Sequence, residues 1–275
     1  MSATITAADI NKLRQATGAG MMDCRKALTE SNGDFEAAID WLRKQGQKVA
    51  AKRSDREAKE GVVIAKTNSA HNAGIIVCVS CETDFVSKNA DFVSFVNSIA
   101  DAAVENNVKS AEELNHVSIN GARVSDLVND KLAAIGEKIE ISKFERIEAP
   151  FVASYIHGAN RMGVLVGMTE SASEAGKDVA MQIAAMNPLA VDESSIPADV
   201  IEREKNIAIE QVKAEGKPAE MAEKIAMGKL NKFFKENTLV AQAFVKDANK
   251  SVAEYLKSIS PSLKVTEFKR VAVGG

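Results

Sequence analysis

From residue 6 to residue 42 the apolar positions recur at helical spacing. Ile10, Leu13 and Ala16 share one face, with Thr6 as a cap, Asp9 three positions on, and Gly18 as a stop. After Thr17-Gly18-Ala19-Gly20, residues 21–30 predict a second helix, with Met22, Lys26 and Thr29 on a different side from Met21, Cys24 and Leu28. Ser31-Asn32-Gly33-Asp34 is a turn whose last residue caps a third helix carrying Phe35, Ala38, Ile39 and Leu42, with Trp41 beside them. So small a bundle buries little core and reads as a presenting module.

From Gly61 the apolar pattern changes to that of strands. Segments 61–67 and 74–81 are β-branched and apolar, and residues 68–73 join them into a predicted hairpin. A helix follows, with Phe92, Phe95, Val96 and Ile99 at helical spacing. The pattern then returns. Segments 151–156 and 163–168 are strand-like, residues 157–162 join them, and Val179, Ile183 and Met186 mark a helix. Gly74-Ile75-Ile76-Val77 is echoed by Gly163-Val164-Leu165-Val166, and residues 141–147 by residues 265–271. Each of the latter follows a short helix: 124–135, stopped by Gly136, and 252–259, opened by a capping box of Ser251 and Glu254. The expectation is an α+β fold with a duplicated core of antiparallel three-stranded sheets covered by helices.

The second half holds an insertion. Pro197 opens a helix on which Ile201, Ala208 and Val212 share a face. Gly216-Lys217-Pro218 is a turn, and a second helix carries Met221, Ile225 and Phe233. This is a helical hairpin with a coiled-coil look, and its outer turns are too polar for a core. Self-association, contact with a partner and a merely solvated arm all remain open for it. The expected organisation is 1–55, a three-helix module with a basic linker; 56–148, a first core half; 149–190 with 230–275, a second; and 191–229, the inserted hairpin.

Charge narrows the function. Lys plus Arg is 35 and Asp plus Glu is 38, a net −3, which excludes a protein held to nucleic acid mainly by bulk positive charge. A local basic run, with Arg43, Lys44, Lys48, Lys52, Arg53, Arg56 and Lys59 against Asp55 and Glu57, reads as a solvated helix end and linker, weak RNA contact being the other reading. No run of about 18 apolar residues predicts a membrane span. The opening MSATITAADINK lacks a charged start before an apolar run, so no signal peptide is expected. Three cysteines (Cys24, Cys78, Cys81) make no disulfide framework, and a cytoplasmic location is expected.

Catalytic and cofactor motifs are not found. Gly176-Lys177, Gly216-Lys217 and Gly228-Lys229 lack the remainder of a Walker A phosphate cradle. Gly18-Ala19-Gly20 follows a helix and lacks the third glycine of a dinucleotide fingerprint. Cys78 and Cys81 have the spacing of a redox or zinc pair, but three positions apart in a strand they point to opposite faces. His71, His116 and His157 are scattered, and no nucleophile elbow occurs. The expectation is a protein without enzymatic chemistry, metal or cofactor.

Aromatics are only 5% of the chain, which makes Phe85 conspicuous in Cys81-Glu82-Thr83-Asp84-Phe85-Val86-Ser87-Lys88-Asn89. One reading folds Phe85 onto the following helix as a staple, with Thr83 or Asp84 as its cap. The other presents an aromatic wedge, with a carboxylate beside it, to a partner. Spacing alone favours the staple.

Thr83-Asp84-Phe85-Val86, the block from Thr17 through Asp23-Cys24-Arg25-Lys26 to Leu28, and Tyr155-Ile156-His157-Gly158 resemble the bacterial elongation factor Ts family. So do residues 157–166, 229–234 and 244–247, in order along nearly the whole chain. Arg25, where a lysine is frequent, and Asn231, where a basic residue is usual, depart from the pattern outside the central loop. The resemblance implies a guanine-nucleotide exchange factor for elongation factor Tu, promoting release of GDP and Mg²⁺ so that GTP can rebind. It implies a ubiquitin-associated-like N-terminal module and a dimerisation-type helical hairpin. It assigns Thr83, Asp84, Phe85 and Val86 to the loop that dislocates Mg²⁺, and Leu13, Met21, Met22, Ile135, Gly136 and His157 to further partner contacts. Direct binding of nucleotide, nucleic acid or membrane is not expected. The rival from another class is an adaptor that docks without affecting nucleotide release.

Overall fold

The computed structural model describes residues 4–53, 55–214 and 219–274. The turn expected at Gly216-Lys217-Pro218 lies outside them, as do the side chains of Lys52 and Met221.

The head holds α1 (Ala7–Thr17), α2 (Met21–Glu30) and α3 (Phe35–Arg53). Thr6 and Asp9 close a capping box on α1, and Gly18, at φ 69°, ends it. Leu13, Cys24, Ala27, Leu28 and Ala38 form its buried centre. Helix α3 runs well past the apolar positions that announced it, because its far half has a partner in the core.

The first core half comprises β1 (Glu60–Thr67), β2 (Ala73–Cys81), α4 (Asp84–Ser87), α5 (Ala90–Glu105), α6 (Ala111–His116), a ribbon of β3 (Ser118–Ile119) and β4 (Ala122–Arg123), α7 (Val124–Ile135) and β5 (Glu140–Glu148). The second comprises β6 (Phe151–His157), β7 (Met162–Met168), α8 (Ser173–Met186), the long pair α9 (Ala198–Ala214) and α10 (Ala219–Asn237), a ribbon of β8 (Ala243–Phe244) and β9 (Asp247–Ser251), α11 (Val252–Ile259) and β10 (Val265–Ala272). The sheets are ordered β1-β2-β5 and β10-β7-β6, antiparallel throughout, so the second strand of each hairpin is central. The mixture is α+β.

The layers run helix, sheet, sheet, helix. Val62, Ile64, Val77 and Val79 pack under Phe92, Val96 and Ile99 of α5 and Leu132 of α7. Val164, Val166 and Met168 pack under Val179 and Ile183 of α8 and Leu256 of α11. The remaining faces meet each other through Val63, Ala65, Ile76 and Cys78 against Val152, Leu165 and Val271. Both central strands are therefore buried on two sides, and they read as unbroken apolar runs. Close approach needs glycine. A Cβ on Gly74 would lie 2.8 Å from Leu165 Cδ2, and one on Gly163 would lie 2.9 Å from Val63 Cγ1.

Other features differ from expectation as well, among them the short helices α4 and α6, which the sequence pattern does not predict. The ribbons β3–β4 and β8–β9 carry no apolar strand pattern, because β3, β4 and β8 have two residues each and β9 is polar and largely exposed; Asn120-Gly121, both at positive φ, is the one turn signal available for the first. Helix α10 continues through Asn237, so the boundary expected at 229/230 falls inside one helix. Ala208, Val212 and Ala226 are buried where α9 and α10 pack together, and Leu230 and Phe234 join Ile196 at the base of the pair.

Candidate partner-binding site

Strand β2 ends at Cys81 and the single turn α4 begins at Asp84. The chain between must turn sharply at the end of the central strand. Neither Thr83 nor Asp84 caps the long helix that follows. Asn89 does so, its side chain accepting from the backbone N–H of Asp91 and Phe92. Phe85 is 85% exposed and folds onto nothing, which overturns the staple expected from spacing. Val86 faces inward against the first core cluster. The Lys88 ammonium lies 2.6 Å from Asp84 Oδ2 and holds that carboxyl below the usual carboxylate range.

Glu82 and Thr83 are gripped from across the fold. Glu137 Oε2 accepts from the backbone N–H of both Glu82 and Thr83 at 3.1 Å, and Oε1 accepts from Thr83 Oγ1 at 2.6 Å. In return Glu82 Oε1 accepts from the backbone N–H of Lys138 at 2.6 Å. The Arg53 and Arg56 guanidiniums reach the same Glu82 carboxylate at 2.7 and 3.1 Å. These contacts, led by the Lys138 N–H, pull the Glu82 carboxyl down to about 2. The Cys81 thiol donates to Thr83 O, and burial, with Glu137 and Glu60 nearby, pushes it up to about 12.

The basic run is thus not merely a solvated linker. Arg53 and Arg56 bind Glu82, and Arg43 pairs with Asp130 at 3.7 Å. Gly46 sits so tightly against α7 that a Cβ there would be 2.7 Å from Ala133 Cβ.

Gly136, at φ 78°, ends α7 and turns Glu137 toward the loop. Ile135, 37% exposed, precedes it. A Cβ on Gly18 would lie 3.9 Å from Ala134 Cβ, so the turn that leads into Met21 and Met22 sits against the same end of α7. Met21 and Met22 are exposed at the start of α2. Leu13 is fully buried in the head; it supports that turn and offers no surface. From the second half, Arg161 enters the groove lined by Glu60, Glu82, Thr83, Asp84, Phe85 and Lys88, and its guanidinium pairs with Glu60 at 2.6 Å. His157 ends β6 before the turn that carries Arg161, with Nδ1 3.0 Å from the Tyr155 hydroxyl. Glu137 thus ties Thr83 to the end of α7 that carries Ile135 and Gly136, the turn before Met21 and Met22 meets the same helix end, and the turn after His157 brings Arg161 into the groove beside Asp84 and Phe85.

Sequence reasoning missed Glu82, Glu137, Arg53, Arg56, Glu60 and Arg161. Their partners are distant in the chain, and no local spacing announces them. Cys78 and Cys81 lie in different core clusters, on opposite faces of β2. Among the described residues no group of three His, Cys, Asp or Glu could hold a metal ion.

The turn thus presents an exposed Phe85 beside the paired Asp84 and Lys88 and next to Arg161, with Met21 and Met22 exposed on the head. The family model described as Elongation factor TS matches residues 82–275. Elongation factor Ts of Christiangramia forsetii is 51% identical over 275 residues, covering 99% of this chain and 100% of that protein. The protein of the same name from Flavobacterium psychrophilum is also 51% identical, again over 99% and 100%. That from Chlorobium phaeobacteroides is 42% identical over 284 residues, 98% of this chain and 99% of its own.

Proposed function

The chain belongs to the elongation factor Ts family, whose members are nucleotide-exchange factors for elongation factor Tu in translation, and we propose that it promotes loss of GDP and Mg²⁺ from that GTPase so that GTP can rebind. The observation that carries this reading is Phe85, 85% exposed beside Asp84 on a turn anchored at Glu82 and Thr83 by Glu137. An apolar ring kept in water by the fold is ready to be buried by something else.

The physics is a coupling between two ligands of the GTPase. GDP is gripped through its phosphates and a divalent cation. A protein that binds better when those contacts are broken weakens GDP, and GDP weakens it by the same factor. A thousandfold effect needs about 4 kcal/mol of differential contact. One buried Phe supplies roughly 2–3 kcal/mol. Met21, Met22, Ile135, the Gly136 turn and His157 supply the rest, and Asp84 brings a negative charge toward the cation and phosphates. Leu13 acts from beneath. No covalent bond changes.

The same reading takes residues 1–55 as a ubiquitin-associated-like head. It takes the two halves, with glycines at matching places between the sheets, as products of duplication, and the 191–229 hairpin as a dimerisation surface. It places the protein in the cytoplasm without direct binding to nucleotide or nucleic acid; among the described residues no helix is long and apolar enough to cross a membrane. The test is release of fluorescent GDP from purified elongation factor Tu. Acceleration is expected. Binding with unchanged release would make this an adaptor instead.

A further inference from the structure

We infer that Glu137 and Glu82 are positioning residues for the exchange loop. Together with Arg53 and Arg56, they join that loop and the helical head into one preorganised surface. This rests on the exchange reading above.

The backbone poses the problem that the two glutamates solve. Beyond the end of β2, the N–H groups of Glu82 and Thr83 would have only water as acceptor. One carboxylate, Glu137, takes both N–H groups and the Thr83 hydroxyl, at 3.1, 3.1 and 2.6 Å. Three donors on one charged acceptor determine where Thr83 sits and how the next residues, Asp84 and Phe85, leave it. Glu82 makes the reciprocal reach to the Lys138 N–H and to two arginines at the end of the head's long helix and just beyond it. The side chain of Glu82 is mostly buried, so it is little screened.

The head enters through two links. Arg53 and Arg56 hold Glu82 directly. Helix α3 also braces α7 through Gly46 against Ala133 and Arg43 with Asp130, and α7 ends at Ile135, Gly136 and Glu137. A partner touching Met21 and Phe85 together meets groups already set relative to each other. It does not have to order a loose loop as it binds.

The consequence is specific. Without the clasp, the loop is competent only a fraction of the time, and the concentration needed for half-maximal exchange rises by the inverse of that fraction. The plateau at saturation stays, because the bound complex still contains Asp84 and Phe85. Glu137→Ala is expected to raise the half-saturating concentration about tenfold if one loop conformer in about ten remains competent. Glu137→Gln should stay close to wild type. Its amide oxygen can take both N–H groups, and its NH₂ can donate to Thr83 Oγ1. Arg53→Ala should have a smaller effect of the same kind.

Two measurements on the full-length protein decide the matter. Amide hydrogen exchange should show Glu82 and Thr83 protected in wild type and Glu137→Gln but open in Glu137→Ala, with strand β2 unchanged in all three. Stopped-flow release of fluorescent GDP across a concentration series should show the tenfold shift in half-saturation, with the plateau kept. If Glu137→Ala leaves amide protection or half-saturation at wild-type values, or if Glu137→Gln fares as badly as alanine, the positioning role is overturned. If the wild type fails to accelerate release at all, the exchange reading falls, while amide exchange still judges the clasp.

Discussion

Replacing Phe85 by alanine separates the two roles that spacing alone left open. The ring is 85% exposed, so its loss leaves no cavity and uncovers no neighbour. A surface change of this kind moves stability by no more than about 0.5 kcal/mol. For a chain of 275 residues that is a melting shift of roughly 1–2 °C. In the complex the same ring is worth about 2–3 kcal/mol if it passes from water into an apolar cleft. At about 1.4 kcal/mol per tenfold, GDP release driven by Phe85→Ala should be roughly 30- to 150-fold slower than with wild type. Stopped-flow release of fluorescent GDP reads the rate, and thermal unfolding of the free variant reads the stability. An exchange rate within threefold of wild type would refute the wedge. A melting temperature lowered by more than about 5 °C would refute the claim that the fold does not use the ring. Phe85→Leu should fall between, since it keeps part of the apolar area.

Gly163→Ala should overpack the space between the sheets, where the new Cβ meets Val63 at 2.9 Å and Ala65 and Ile76 at 3.3 Å; a loss of about 1–3 kcal/mol is expected, read by denaturant unfolding. Folded protein at pH 8 should resist a thiol reagent and become labelled only in denaturant. Burial raises the thiols of both Cys24 and Cys81, the latter to about 12, and rapid labelling of native protein would contradict this. The Glu82 carboxyl is depressed to about 2, so its stabilisation is fully present above the ordinary carboxylate value and is lost progressively as pH falls from there through about 2, while in the folded protein the carboxylate itself stays ionised down to about 2. The Lys138 amide, which donates to Glu82, should therefore stay protected at pH 4, with Arg53 and Arg56 still paired; hydrogen exchange that opens this amide at pH 4 while β2 amides hold would show the contact is weaker than its geometry.

Most elements were legible along the chain because their signals are local. Thr6 with Asp9 and Ser251 with Glu254 are capping boxes in sequence and in space. Gly18 and Gly136 stop helices through a backbone conformation that glycine adopts without strain. The two apolar hairpins announced themselves by composition. The two-residue strands had no period to show, and α3 outran its apolar stripe because its last turns are held by Gly46 against Ala133 and by arginine pairs.

The site was legible in part, by resemblance more than by chemistry. Phe85 stood out because aromatics are few, yet spacing pointed the wrong way: a residue before a helix looks like a staple whether or not the helix has room for it. Only the tertiary structure decides that, through Asn89 taking the cap and the ring remaining in water. Likewise Leu13 fits a helix face either way, and packing against Cys24 and Leu28 makes it core.

What the sequence determines by itself is the main helices and hairpins, the α+β class and the family, since these rest on propensities, turns and motifs encoded within a few residues of one another. What the tertiary structure decides is which of those elements stand together at the turn that carries Phe85. Glu137 meets Thr83 and Arg53 meets Glu82 because two helices and a strand end converge there. Contacts between residues far apart in the chain leave no periodic trace in it.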